Sequence, residues 1–159
     1  MWDASLLVDW NPALRLTLHT DYSLRLLMLL ALEPDELHTI EEVARRYDIS
    51  RNHLMKVTQT LAQAGFVDSL RGRGGGLRLA RPAGEIILGE VVRATEDGFN
   101  LVECFDRKTN TCVVAPVCGL RGPLEEAVLA FLSTLDGYSL ADLVANPGSM
   151  RRMQQLLAG

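Results

Sequence analysis

The chain has 159 residues, 48% of them hydrophobic and 23% charged, and a formal charge of −4. That length makes one ordinary domain or two small ones with most of the unfolded surface buried, and hydrophobic content this high excludes a disordered chain. The longest apolar run, around Leu24 to Leu32, is broken by Arg25 and stops at Glu33-Pro34, far short of the roughly 20 apolar residues of a membrane span. The acidic start Met1-Trp2-Asp3 lacks the basic segment of a signal peptide, so a soluble, cytoplasmic protein with no membrane partner is expected.

In chain order, residues 1–14 show no clear period, carry Trp2, Trp10 and the turn-prone Asn11-Pro12, and read as an N-terminal extension. Leu24, Leu27, Met28 and Ala31 then follow helical spacing, with Thr20 or Asp21 placed to cap the start and Pro34 to end it. Thr39-Ile40-Glu41-Glu42 is a capping box before a two-turn helix with Ile40, Val43, Ala44 and Tyr47 on one face. Ser50 caps a third helix, whose buried stripe is Leu54, Val57 and Leu61 and whose stop is Gly65. Two short helices joined by a tight turn match a helix-turn-helix.

The face left over on the third helix carries Arg51, Asn52, His53, Lys56, Gln59 and Gln63, behind the capping Ser50. Long cationic and amide side chains of this kind reach base edges and phosphates in a major groove. A solvated helix would carry similar residues, so the next segment decides. Phe66 to Leu70 and Gly76 to Ala80 read as two strands around Arg71-Gly72-Arg73-Gly74-Gly75. Glycines allow the positive dihedral angles of a tight tip, and arginines on such a tip enter minor grooves. A nucleotide-binding loop is excluded, because no helix opens on these glycines and their spacing does not match the dinucleotide fingerprint. Residues 50–81 hold six basic residues and one acid, a local +5 in a chain whose remainder is −9. Helix-turn-helix followed by a basic hairpin is a winged helix, predicted here over 15–82, and the polyanion it meets is double-stranded DNA.

A connecting helix over 83–98, with Ile86, Leu88, Val91 and Val92 inward, leads to a loop at 99–119. That loop holds every cysteine of the chain, Cys104, Cys112 and Cys118, separated by seven and five residues. An odd number of thiols cannot fully pair within one chain. Zinc knuckles bring cysteines closer together, whereas wide spacings on a loop suit an iron–sulfur cluster that needs a fourth ligand from elsewhere. Three unremarkable thiols, a zinc site and a thiol-based redox switch are the other readings. Residues 120–159 then begin with a long helix whose stripe Leu124, Ala127, Val128, Phe131, Leu132 and Leu135 reads as a dimerisation face, with core packing as the alternative. Ser139-x-x-Asp142 starts a short helix, Asn146-Pro147-Gly148 breaks it, and Ser149 to Leu157 closes the chain. The fold class is mainly α with a small β-hairpin, and no nucleophile–base pair marks an enzyme.

Arg15-Leu16-Thr17, Thr20-Asp21-Tyr22 with Leu24-Arg25, Ser50-Arg51-Asn52-His53-Leu54, Arg71 to Gly76 and Leu88-Gly89-Glu90-Val91-Val92 together resemble the winged-helix family that contains NsrR and IscR. The resemblance spans about Leu14 to Leu157, and Asn100 to Cys104 with Cys112 to Cys118 are most similar to its NsrR branch, nitric-oxide-sensing repressors. It implies a homodimer on palindromic operators, with one iron–sulfur cluster per subunit on Cys104, Cys112 and Cys118; the 4Fe–4S form is expected ahead of the 2Fe–2S form, though the residues leave both open. It further implies Asp21 of the partner subunit as fourth ligand, with Arg25 one turn on. From the residues themselves, base reading is expected of Arg51, Asn52 and Lys56, and minor-groove contacts of Arg71 and Arg73. The other branch uses a histidine three residues after the last cysteine; Arg121 stands there, and His19, His38 and His53 lie far off in sequence. The implied function is a repressor that nitric oxide releases from DNA through cluster nitrosylation. A relative sensing cluster supply or oxidative stress is the alternative, as is a cluster carrier or redox adaptor that binds no DNA.

Overall fold

The computed structural model describes residues 15–158; the extension predicted for 1–14 lies outside them. Seven helices and one hairpin follow in the order α1 (Leu18–Leu32), α2 (Ile40–Tyr47), α3 (Arg51–Gln63), β1 (Val67–Leu70), β2 (Gly76–Leu79), α4 (Leu88–Thr95), α5 (Arg121–Asp136), α6 (Leu140–Leu143) and α7 (Pro147–Leu157).

Helix α1 is the hub. It packs against α3, α4, α6 and β2, so Leu26, Leu27, Leu29, Leu30 and Leu32 are all buried. The predicted stripe was narrower, and its Leu24, Met28 and Ala31 are only partly buried. A helix covered from several sides loses the one-sided pattern that periodicity detects. Its cap also differs from expectation. Thr17 takes the N-cap, accepting a bond from the Thr20 amide, while Thr20 is itself buried inside the helix. Asp21 therefore does no capping.

The helix-turn-helix forms as predicted. Thr39 caps α2 by accepting from the Glu42 amide, but the box is half made, because the Glu42 carboxylate turns to His38 and Arg46. Asp48 ends the helix in the left-handed region at φ 51°, the buried Ile49 plugs the turn, and Ser50 caps α3 through the His53 amide. Gly65, at φ 76°, supplies the left-handed stop after α3.

Strands β1 and β2 pair antiparallel from Val67↔Leu79 to Leu70↔Gly76, and His38 adds a bridge to Leu77 on the other side. The wing is thereby sewn to the α1–α2 loop. At its tip Gly72 and Gly74 have φ of 101° and 79°, values that side-chain-bearing residues rarely adopt. The C-terminal half is fastened by backbone bonds, Leu140 N–H donating to Ile86 O and Leu88 N–H to Tyr138 O, by a two-pronged bond from Arg93 to Asp136 at 2.5 and 2.7 Å, and by Gln154 of α7 donating to Leu32 O at 3.3 Å. Asn146-Pro147 starts α7 rather than only breaking α6, since Asn146 caps it and proline suits a first helical turn.

Candidate DNA interface and cysteine loop

Arg51, Asn52, His53 and Lys56 are all exposed along one side of α3, with Gln59 and Gln63 continuing the row. The buried Leu54, Val57 and Leu61 hold the opposite side on the core, so folding leaves these side chains on the solvent side of α3. Arg51 is held by Glu41 at 2.6 Å, and that bond keeps the Glu41 carboxyl below its ordinary range. Arg71 and Arg73 are exposed at the wing tip, whereas Arg78 is engaged across the hairpin by Asp68 at 3.3 Å. The arginines at the tip and the donors on α3 thus belong to two rigidly connected elements, as a two-groove contact requires.

Behind α3 the supports come from α1. His19 Nε2 lies 3.1 Å from Thr60 Oγ1, and the Tyr22 ring meets the His53 ring at 5.9 Å between centroids. Arg25 lies over the Tyr22 ring at 5.8 Å and pairs with Asp21 at 2.7 Å. Tyr47 donates its hydroxyl to the Arg25 carbonyl at 3.0 Å, and burial pushes its pKa up to about 12. Asp21 and Arg25, one turn apart on α1, are therefore linked to His53 of α3 through Tyr22.

Cys104 sits in a single 3-10 turn, Glu103–Phe105, and all three thiols are free and half-buried. The seven-residue gap before Cys112 is closed by a clip: the Glu103 carboxylate accepts bonds from the Thr111 amide and, at 2.7 Å, from its hydroxyl. These bonds hold the Glu103 carboxyl low and bring the neighbours of Cys104 and Cys112 together. Arg121 lies over Phe105 at 6.0 Å. Glu125 chiefly, and Cys104 to a lesser degree, hold its guanidinium charged. Arg121 is thus a cation beside Cys104.

The loop is tied in at its entrance and exposed beyond it. Glu96, just after α4, accepts from the Thr17 amide at 2.8 Å and hydroxyl at 3.0 Å, linking the start of the loop to the start of α1. On α5 only Leu132 is buried; Phe131 is 42% and Leu129 66% exposed, and Val113 and Val117 in the loop are 92% and 88% exposed. An apolar cleft lined by Leu16, Phe99, Leu101, Ala127, Val128 and Phe131 runs between α5 and the loop. Sequence reasoning missed Thr17, Glu96, the Glu103–Thr111 clip and Tyr22, all of which act through contacts distant in sequence or through a side chain's rotamer.

Residues 16–146 match the Rrf2 family, described as iron-dependent transcriptional regulators. The chain belongs to the Rrf2 family. It is 53% identical over 144 residues to the HTH-type transcriptional regulator NsrR of Bacillus subtilis (strain 168), covering 90% of this chain and 99% of that one. It is 50% identical to NsrR of Shouchella clausii (strain KSM-K16), covering 89% and 96%. Among solved structures it resembles T. potens IscR with a TM-score of 0.67 at 22% identity, covering 84% of this chain and 88% of that one, a likeness of fold. The Rrf2 chain described here is a winged helix-turn-helix regulator that binds DNA, and not an enzyme. No helix among the described residues is long and apolar enough to cross a membrane.

Proposed function

We propose that this Rrf2 regulator is a cytoplasmic homodimeric repressor that holds operator DNA while an iron–sulfur cluster is intact and lets go when nitric oxide reaches it. The observation that carries this reading is the position of three free thiols on a loop tied to α1 at Glu96 and continuous with an apolar helix that has no cover.

The thiols suit a cluster better than a single zinc ion. Among the described residues, the one group of three ligand atoms lying within 4.8 Å of one another is elsewhere, at Glu33, Glu36 and His38, whereas sulfurs around one zinc at about 2.3 Å sit closer than that. Cys104, Cys112 and Cys118 would hold the cluster, one per subunit and of the 4Fe–4S form, and Asp21 of the partner subunit would complete it. When bound, the cluster supplies iron that reacts with nitric oxide. Arg121 offsets the negative charge of the thiolates.

The remaining steps belong to the chain. Asp21 has no capping duty, so it is free to choose between the partner's cluster and its own Arg25. Once Asp21 turns to Arg25, as at 2.7 Å here, the guanidinium over Tyr22 moves with it, and Tyr22 passes the change to His53 on α3. Two recognition helices must present themselves about one helical turn, ~34 Å, apart on a two-fold operator. A coupling of about 1–3 kcal/mol changes affinity 5–150-fold, enough to release the site. Anaerobic purification with iron and sulfide analysis, followed by nitric oxide titration and an operator mobility shift, tests the proposal. Equal operator binding by cluster-free, cluster-loaded and nitric-oxide-treated protein would sink it.

Ser50, Arg51, Asn52, His53 and Lys56 are assigned to the major groove, with Arg71 and Arg73 at the minor groove. Arg73→Ala is expected to weaken binding and to flatten its dependence on salt by about 0.9 in the logarithmic slope, the share of one phosphate contact. Fluorescence anisotropy across a salt series measures both; an unchanged slope removes Arg73 from the phosphate backbone.

A further inference from the structure

The loop between α1 and α2 buries a histidine among carboxylates, away from both the cysteines and the DNA-facing side of α3. His38 is wholly buried and is fixed by two backbone bonds to Leu77 of β2, 3.2 Å from its own N–H and 2.8 Å to its carbonyl. An acid stands at each ring nitrogen: Glu42 Oε1 at 3.3 Å from Nδ1 and Glu33 Oε2 at 3.2 Å from Nε2. The first contact has hydrogen-bond geometry. The second does not, and Nε2 is left with no hydrogen-bond partner. A neutral imidazole carries one N–H. With that proton on Nδ1, the Nε2 lone pair faces the Glu33 carboxylate, which is unfavourable unless a cation lies between them.

The ligand atoms of Glu33, Glu36 and His38 lie within 4.8 Å of one another, as the ligands of one ion do. Glu33, Glu36 and Glu42 bring three negative charges here, and Arg46, bonded to Glu33 at 2.7 Å and to Glu42 at 3.0 Å, returns one positive charge. The excess left over is that of a divalent cation.

We propose that Glu33, Glu36 and Nε2 of His38 form a site for a borderline divalent metal ion such as zinc, independent of the cysteines and of any cluster on them. One imidazole and two carboxylates are a donor set that zinc and its neighbours accept. The Nδ1–H bond to Glu42 is the outer bond that fixes the tautomer and orientation of a ligating histidine. Arg46 bonds Oε2 of Glu33, while Nε2 of His38 lies 3.2 Å from the same carboxylate oxygen without a hydrogen bond to it. The metal joins the end of α1 to the loop after it and, through the pairing of His38 with Leu77, to the base of the wing. It therefore stiffens the wing against the helix-turn-helix and gives the regulator a metal input that bypasses Cys104, Cys112 and Cys118.

Cobalt titration of the full chain with all three cysteines changed to serine tests this, since no thiol competes. One equivalent is expected to bind with d–d absorption and no thiolate charge-transfer band, and zinc is expected to displace it and raise Tm. Glu36 is exposed, so Glu36→Gln leaves the fold intact; it and His38→Gln are each expected to weaken cobalt binding at least about tenfold, as losing a ligand does, and to abolish the zinc-induced rise in Tm. Should the serine chain not fold, the natural chain is titrated and its thiol-bound cobalt is recognised by the charge-transfer band. No saturable thiol-free binding, or equal binding by both variants, overturns the proposal. So does a Tm that follows pH through the histidine range while ignoring zinc, because the cation between Nε2 and Glu33 is then a proton.

Discussion

Serine at Cys112 is expected to lower operator affinity 5–150-fold and to remove the response to nitric oxide, while leaving the winged helix folded. Cys112 lies at the centre of the loop, with its amide bonded to Asn110 Oδ1 at 3.1 Å, and the Glu103–Thr111 clip holds it near Cys104. Serine keeps the amide bond and the clip but gives up the soft sulfur that iron requires. The loop makes few contacts with the core that α1 and α3 share, so circular dichroism and Tm should move little. Operator binding should fall to that of cluster-free natural protein, because the predicted defect is loss of the coupling. The measurement is an anaerobic mobility shift with and without nitric oxide, alongside iron analysis. Unchanged affinity together with unchanged iron would remove Cys112 from the ligand set. Unchanged affinity with lost iron would separate the cluster from DNA binding altogether.

Much of this was legible because it is local. Thr39, Ser50 and Ser139 announce helix starts through bonds to amides two or three residues away, and Gly65 announces a stop through its own backbone angle. The hairpin and its glycine tip are likewise local, and the strands fall within a residue of the predicted bounds. What stayed hidden depends on partners far along the chain. Thr17 was passed over as the cap of α1 in favour of Thr20 and Asp21, and its pairing with Glu96 spans 79 residues. The buried face of α1 could not be phased because the helix is covered on several sides. His38 reads as an unremarkable loop residue until Leu77 pins its backbone and Glu33 and Glu42 close on its ring. The cysteines were legible as a cluster in sequence, but not the Glu103 clip that draws two of them together.

Phe131→Glu is expected to turn a dimer into a monomer and to weaken operator binding about 10²–10⁴-fold, the gain that linking two half-site contacts provides. The two uses of the α5 stripe, core or dimer, make different demands on exposure. The stripe divides between them: Leu132 is buried on its own chain, whereas Phe131 stands out beside Val128 at the cleft running to Phe99 and Leu101. Loop residues Val113, Val114 and Val117, with Leu120 at the foot of the helix, are exposed as well. Exposed apolar side chains of this kind mark an interface, and under the proposed function a second copy of α5 is the partner that a two-fold operator would call for. The C-terminal end of α5 is anchored by Arg93 on Asp136 and by the bonds joining Ile86 and Leu88 to the residues after it. The N-terminal end, next to the cysteines, is left to meet a partner. A glutamate at 131 places a charge at the centre of that face, where a like charge from the second copy lies opposite and desolvation opposes association. Sedimentation velocity separates the outcomes: a folded monomer with poor operator binding supports the dimer face, whereas a dimer that persists with normal affinity moves the interface elsewhere.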